Sequence, residues 1–385
     1  MRTVLLLMLL FHTLLSYEYK TDILLNYINY DNFKNEAILE GDSKIKFEND
    51  YFSTNISFDY LYSFEYKERR YLLLNELYFT NESDNYTINI GKSIKFWGEL
   101  EGYNIGDIYN QKNYLLDPFD KDKKLGSIGG DFRYYFDDDY VEVGLKVYEE
   151  NIKYPNTDMP YSPFNIAYDK SLQPSNQLNS FYLIYNFLTQ NSIDSENKII
   201  IYHGYDNKRY FTLKNANLSQ TSYKVDKIIF LSHILYNDYI FKTELSYTDV
   251  VDDAKISDYR QLSFGIERGF YEILDYDINL YTEYYNYHYK DNSKIKNVDI
   301  SELYNNDIFI ATKINFNNLQ NSELKLGILY DIKDYEKVYK ITFNSRVFND
   351  FIFSSEYLQT ITKVDSLLNN LGDTKRFSIA IRYTF

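Results

Sequence analysis

The chain ends in KRFSIAIRYTF, where Phe377, Ile379, Ile381, Tyr383 and Phe385 alternate with Ser378, Ala380, Arg382 and Thr384. Successive side chains of an extended strand point to opposite faces, so this stretch makes a ribbon with one oily and one polar side. The pattern recurs. TNISFDYLYSFEY sets Thr54, Ile56, Phe58, Tyr60, Tyr62, Phe64 and Tyr66 against Asn55, Ser57, Asp59, Leu61, Ser63 and Glu65. LDYDINLYTEYY sets Leu274, Tyr276, Ile278, Leu280, Thr282 and Tyr284 against Asp275, Asp277, Asn279, Tyr281, Glu283 and Tyr285. In YKITFNSRV, Tyr339, Ile341, Phe343, Ser345 and Val347 oppose Lys340, Thr342, Asn344 and Arg346. A chain made of such one-sided strands must hide every oily face, which restricts it to a sandwich or a closed barrel.

About eighteen segments (16–18 allowing for one misread pair) carry the strand pattern: 20–30, 36–48, 51–66, 69–80, 84–94, 126–136, 139–149, 178–188, 197–204, 223–235, 238–249, 256–269, 272–288, 306–317, 320–331, 334–348, 350–362 and 375–385. Turn-like breaks such as END, NESDN and FND separate them. The polar faces carry full charges, and a sandwich of this many strands would leave edges to protect. The expected fold is therefore all-β, an antiparallel transmembrane β-barrel, because lipid admits only helices or closed barrels. An even strand count puts both ends in the periplasm. The long connections 95–125, 150–177, 205–222, 289–305 and 363–374 are then extracellular, and the short turns periplasmic.

Composition agrees. Tyr (44) and Phe (27) dominate the apolar content, and both favour pleated, half-buried surfaces. The five prolines, Pro118, Pro155, Pro160, Pro163 and Pro174, all fall in two long connections, where no ladder hydrogen bond is lost. No later segment has the apolar length of a spanning helix. Cysteine is absent, which excludes disulfides and thiolate chemistry. A net charge of −15 argues against a nucleic-acid partner. MRTVLLLMLLFHTLLS, with Arg2 followed by an apolar run from Val4 to Leu15, is expected to be a signal peptide cut after Ser16. The alternative is an uncleaved anchor. Residues 17–385 would form one barrel domain.

Catalytic patterns are missing. His12 lies in the expected signal, and His203, His233 and His288 lie on separate strands. There is no HExxH, no nucleophile elbow and no phosphate loop. Ser232 and His233 are adjacent on a strand and so point to opposite faces. Asp137, Asp138 and Asp139 read as an acidic hairpin turn rather than a calcium site. No enzyme, cofactor or metal is expected.

The connections hold the least generic residues. INIGKSIKFWGELEGYNIGDIYNQKNYLLDPFD contains Gly91, Lys92, Trp97, Gly98, Asp107, Asp117 and Pro118. Further on come Ser162, Pro163 and Phe164, then Gly204, Tyr205 and Asp206. This series resembles a family of Gram-negative outer-membrane porin-like proteins of largely unknown substrate. The likeness covers the first half in motifs and the second half in strand pattern alone. It departs in DPFD, where Asn-Pro is commoner, and in KRYF, where a proline is expected. The resemblance implies a channel in the outer membrane, in some members alongside efflux systems, and no catalytic residues.

Trp97, at a strand end, is read as part of an aromatic girdle. The alternative folds loops 95–125 and 150–177 into the lumen as a constriction, with Trp97, Asp107, Asp117, Asp206, Lys208 and Arg209 at the water path. Inward charges are expected at Asp275, Asp277, Glu283, Lys313, Lys340, Arg346, Glu356 and Arg382. The expected function is passive diffusion of small polar solutes or ions. A plugged barrel serving as a binding or structural surface, and a barrel-wall hydrolase, are the other readings. Expected partners are outer-membrane lipid and lipopolysaccharide, and the barrel assembly machinery, for which Tyr383 and Phe385 form a C-terminal aromatic signal. A homo-oligomer is also compatible.

Overall fold

Antiparallel hairpins are the shortest way to give each one-sided strand a partner, and the chain uses them throughout. The computed structural model describes residues 16–385 apart from 174–176, 191–192, 215–216, 252, 254, 292, 295–299, 349, 365 and 367. The expected signal therefore lies outside the described residues except for Ser16. Ser16 opens the first strand, four residues before the expected start.

Eighteen strands form one closed sheet. They are β1 (Ser16–Tyr30), β2 (Glu36–Glu48), β3 (Ser53–Ser63), β4 (Tyr71–Ser83), β5 (Tyr86–Ser93) and β6 (Ser127–Phe136). Next come β7 (Asp139–Tyr148), β8 (Ser180–Gln190), β9 (Asp194–Tyr205), β10 (Lys224–Tyr236), β11 (Tyr239–Val251) and β12 (Tyr259–Ile273). The last six are β13 (Tyr276–Tyr289), β14 (Asn306–Asn315), β15 (Glu323–Asp331), β16 (Lys337–Phe348), β17 (Phe351–Ile361) and β18 (Thr374–Thr384). Each corresponds to one expected segment. β1 pairs with both β2 and β18, from Asp22 opposite Thr384 to Tyr30 opposite Arg376. Beyond β18, Phe385 exchanges two backbone hydrogen bonds with Thr21, of 2.9 and 3.1 Å, and completes the seam. Among the described residues no helix is long and apolar enough to cross a membrane.

The two ends of the barrel differ. At the end that carries both termini the chain reverses tightly, at 84–85, 137–138, 237–238 and 274–275. Asp137, Asn237, Leu274 and Asp275 take left-handed backbone there, as two-residue hairpins require. Asp275 is thus an exposed turn residue and not a lumen residue as expected; a turn residue that must bend the chain cannot also project from the strand face. The long connections all leave the other, extracellular end. They contain short strands unseen in the sequence pattern: Gln111–Lys112 paired with Lys124–Leu125, and Tyr168–Gln173, Asn217–Thr221 and Tyr210–Lys214 in a small sheet. Two to six residues are too few to show a period.

Outward positions are apolar and exposed, among them Leu25, Ile201, Leu245, Leu280, Ile341 and Ile379, giving a lipid-facing belt. Aromatics gather outside at the periplasmic end. Tyr19 lies 5.8 Å from Phe385, Phe385 5.4 Å from Tyr383, and Tyr383 4.8 Å from Phe351, between ring centres.

Candidate functional site

Inward side chains meet the connection that runs from β5 to β6, residues 94–126. Its first turn is fixed by glycine. A Cβ on Gly98 would stand 2.0 Å from Asn104, whose Oδ1 accepts the Leu100 N–H at 2.8 Å. Gly91, just upstream, holds φ at 140°, where any side chain would strike Leu77.

The loop is then held by two carboxylates of the wall. Glu244 of β11 accepts backbone N–H groups from Glu99 (2.7 Å), Ile105 (2.5 Å) and Gly106 (3.0 Å). Glu283 of β13 accepts those of Glu101 (2.7 Å) and Gly102 (2.9 Å), and the Tyr285 hydroxyl donates to it as well. The Tyr103 N–H donates to the Tyr285 hydroxyl at 2.9 Å, and the Tyr103 ring stacks on Tyr304 at 4.5 Å. Glu283 is therefore inward but serves as a loop anchor, not as a free lumen charge.

Trp97 is 7% exposed and packs edge-on against Tyr182 of β8, 4.9 Å away, and against Tyr109 at 5.6 Å. It stands inside the barrel, which corrects the aromatic-girdle reading. The Trp-Gly pair turns the chain inward past the rim, so the ring follows the loop and not the lipid. Ile108, Ile184, Ile200, Tyr202, Ile229 and Leu231 complete this cluster. A second cluster joins Leu100, Tyr103, Ile105, Tyr154, Tyr161 and Phe164 from the loops to inward Ile38, Leu61, Tyr285 and Leu358.

Of the five loop charges expected at the water path, four are buried, three of them in ion pairs. Asp107 bonds Lys124 (2.5 Å) and Lys112 (3.1 Å). Burial pushes the Lys124 ammonium down to about 8. Asp206 takes Lys227 (2.8 Å) and the Tyr259 hydroxyl (2.5 Å), while Lys208 lies over the Tyr287 ring. Arg209 is fully buried against Glu149, which also meets Lys146. Charges this enclosed need partners, and the loops supply them.

Only Asp117 borders open space. Its carboxylate lies 2.6 Å from Lys340 and 3.1 Å from Arg376. Burial would raise its pKa, but Lys340 and Arg376 outweigh that and hold it well below the usual carboxylate range. Glu356 also meets Arg376 and, at 3.4 Å, Lys340. Two cavities flank this contact. One, about 320 Å³, is lined by Asp117, Asp120, Lys340, Glu356, Arg376 and Arg382. The other, about 350 Å³, is lined by Glu101, Asp120, Asp122, Lys313, Lys325 and Lys340.

Of the expected inward charges, Lys313, Lys340, Glu356 and Arg382 line these cavities. Asp277 instead accepts the Glu272 N–H at the periplasmic hairpin, and Arg346 is exposed near that same end. Arg376, Lys325 and Glu244 were missed. Arg376 shares a strand and a parity with Arg382, read as inward from the sequence, so its signal was present. Nothing in the sequence marks Glu244 as a loop anchor. Ser232 bonds Asn197 (2.8 Å), and His233 lies 3.8 Å from Glu99, so the two form no pair. Asp139 accepts the Leu188 N–H beside the 137–138 turn.

No family model matches the sequence, and no curated protein matches it. Solved structures do. OccD3 (OpdP) of Pseudomonas aeruginosa superposes with a TM-score of 0.56 at 10% identity, covering 96% of this chain and 91% of that one. OccK8 (OprE) of the same organism gives 0.54 at 11% (96% and 98%), and OccAB4 of Acinetobacter baumannii 0.53 at 13% (96% and 98%). At such identity the likeness is one of fold. With its closed eighteen-stranded sheet and apolar outer belt, the protein has the fold of the Gram-negative porin-like β-barrels.

Proposed function

We propose that the protein is a passive channel in which small polar solutes or ions cross along the wall formed by β13 to β18 and β1. One observation carries this reading. Lys313, Lys325, Lys340, Arg376 and Arg382 project from that wall into the two cavities, and the acidic loop residues Glu101, Asp117, Asp120 and Asp122 face them. Opposed charges across a narrow water path set a field that favours polar, charged permeants over apolar ones. The solved barrels of like fold support a channel and leave the permeant open. Purified protein in planar bilayers should give stable ohmic conductance; silence under every condition sinks the proposal.

Tyr383 and Phe385 serve as the outward aromatic signal for assembly. Deleting Phe385 should lower the folded fraction in the outer membrane and leave single-channel conductance of the folded remainder unchanged. Normal assembly would count against this role.

A further inference from the structure

The outer wall carries one cation that the channel reading does not use. Arg260 is the second residue of β12 and points outward, since its neighbours Tyr259 and Gln261 are buried on the inner side while Leu262 is exposed. It forms no hydrogen bond or ion pair with another described residue. Across the strands it stands opposite Tyr247 of β11 and His288 of β13, both also outward and exposed. The Lys290 ammonium is just beyond, 3.1 Å from Asp258.

Toward the membrane this basic rung opens onto a shallow outer groove of about 540 Å³, walled by Ile228, Phe230, Leu245, Tyr247 and Leu262. A lone guanidinium facing lipid is costly at mid-depth and close to neutral at the interface. Arg260 is next to the 252–258 connection at the extracellular end, so it stands at headgroup level. Two of the acids nearby have partners of their own. Asp226 pairs with His203 (2.6 Å) and Asp258 with Lys290. Asp249, opposite Asp226 and one outward position nearer the rim than Tyr247, opposes an anion at Arg260, so the anion's place is on the membrane side of that rung.

We propose that this is a binding site for a phosphorylated glycolipid of the outer leaflet, lipopolysaccharide. An acyl chain lies in the groove, and a phosphate sits on Arg260 with His288 beside it. The arrangement matches such a lipid in order and in sign: apolar toward the membrane core, cationic at the headgroup. It is independent of what crosses the lumen.

The test uses the full folded chain in detergent, stripped of lipid, with bisphosphorylated lipid A and the same lipid A lacking its phosphates as probes, followed by native mass spectrometry. The wild type should retain the phosphorylated form about tenfold more tightly, a difference a single charge-assisted contact supplies. Arg260→Glu should remove that preference, Asp249→Asn should strengthen it, and Lys375→Glu, an outward lysine on β18, should leave it unchanged. Equal retention of the two lipids by the wild type overturns the proposal, as does retention by Arg260→Glu at the wild-type level. An equal loss in Lys375→Glu overturns it too, since it would reveal a general rim charge effect. Should Arg260→Glu fail to fold, as judged by heat-modifiable gel mobility, Arg260→Gln and the two-lipid comparison on the wild type decide the matter. Conductance of Arg260→Glu should equal that of the wild type.

Discussion

The two sides of the lumen are built on different terms. Along β8, β9 and β10 most of the buried inward positions are apolar, Tyr182, Ile184, Ile200, Tyr202, Val225, Ile229 and Leu231 among them, packed with Trp97, Ile108 and Tyr109. Along β14 to β18 the charged residues that border space are Lys313, Lys325, Lys340, Glu356, Arg376 and Arg382. The first side is a core shared by wall and loop; the second is a wetted surface. A single barrel thus holds a protein-like interior on one flank and a solvent path on the other. The loop at 94–126 belongs to both, anchored by apolar contact on one side and meeting the charges of the other through Asp117 and through the Leu116 carbonyl, which accepts from Arg376 at 2.8 Å.

That division can be attacked from several directions. The largest effect should come from excising residues 98–122 and bridging the ends: conductance should rise roughly severalfold as the lumen widens. An unchanged conductance would mean the loop does not limit the path. Next, Trp97→Ala should cost about 3–5 kcal/mol, the usual range for emptying a buried aromatic site. By contrast Lys313→Ala should cost under about 1 kcal/mol, because its pair with Glu323 is partly solvated. Equal losses in denaturant-unfolding midpoints would erase the difference between the two sides. The double variant Glu244→Gln, Glu283→Gln should free the loop by weakening charge-assisted bonds of about 2 kcal/mol each. Its channels should show added gating noise, and traces as quiet as the wild type would count against the anchors.

Asp117→Asn should give a smaller rise in conductance, and pH adds a check on it. Because the folded carboxyl titrates below its unfolded value of about 3.9, its stabilising contribution is fully present above that value and fades only as pH falls through the lower, folded one. Wild-type conductance should therefore stay flat from neutral pH down to about 4 as far as this contact is concerned. The smallest effect should be on selectivity. Lys313→Glu with Lys325→Glu should move the reversal potential in a salt gradient toward cation preference, and no movement would exclude these lysines from the path.

Sequence legibility follows the same division. The stretches that alternate most cleanly, in β3, β13, β16 and β18, supply much of the wetted flank, because water on one face and lipid on the other enforce a period of two. On the packed flank both faces are apolar. KIIIY in β9 and KIIFL in β10 run oily without a break, so Ile200 and Ile229 resemble Ile199 and Ile228 on paper although they face the loop. Unbroken runs of this kind, flanked by clean alternation elsewhere, were the available sign that a loop fills the barrel there. Trp97 was misplaced for the same reason: an aromatic at a strand end suits lipid or a plug equally until its neighbours are known. Asp206, Lys208 and Arg209 look like water-path charges in the sequence because Lys227, Tyr287 and Glu149, which they meet, lie on other strands and loops.

The seam between β1 and β18 bears on the order of events. Thr21 and Phe385 trade both of their backbone hydrogen bonds, so the outer edge of β1 stays unsatisfied until the chain through Phe385 is in place. In a membrane an open edge leaves a row of unpaired N–H and C=O groups, each costing several kcal/mol or thereabouts. A nascent or truncated product without Phe377, Ile379, Ile381 and the residues around them has no low-energy way to settle in lipid. The seam strand thereby acts as a closure check: the sheet has no unpaired edge in lipid only when β18 is present to meet β1.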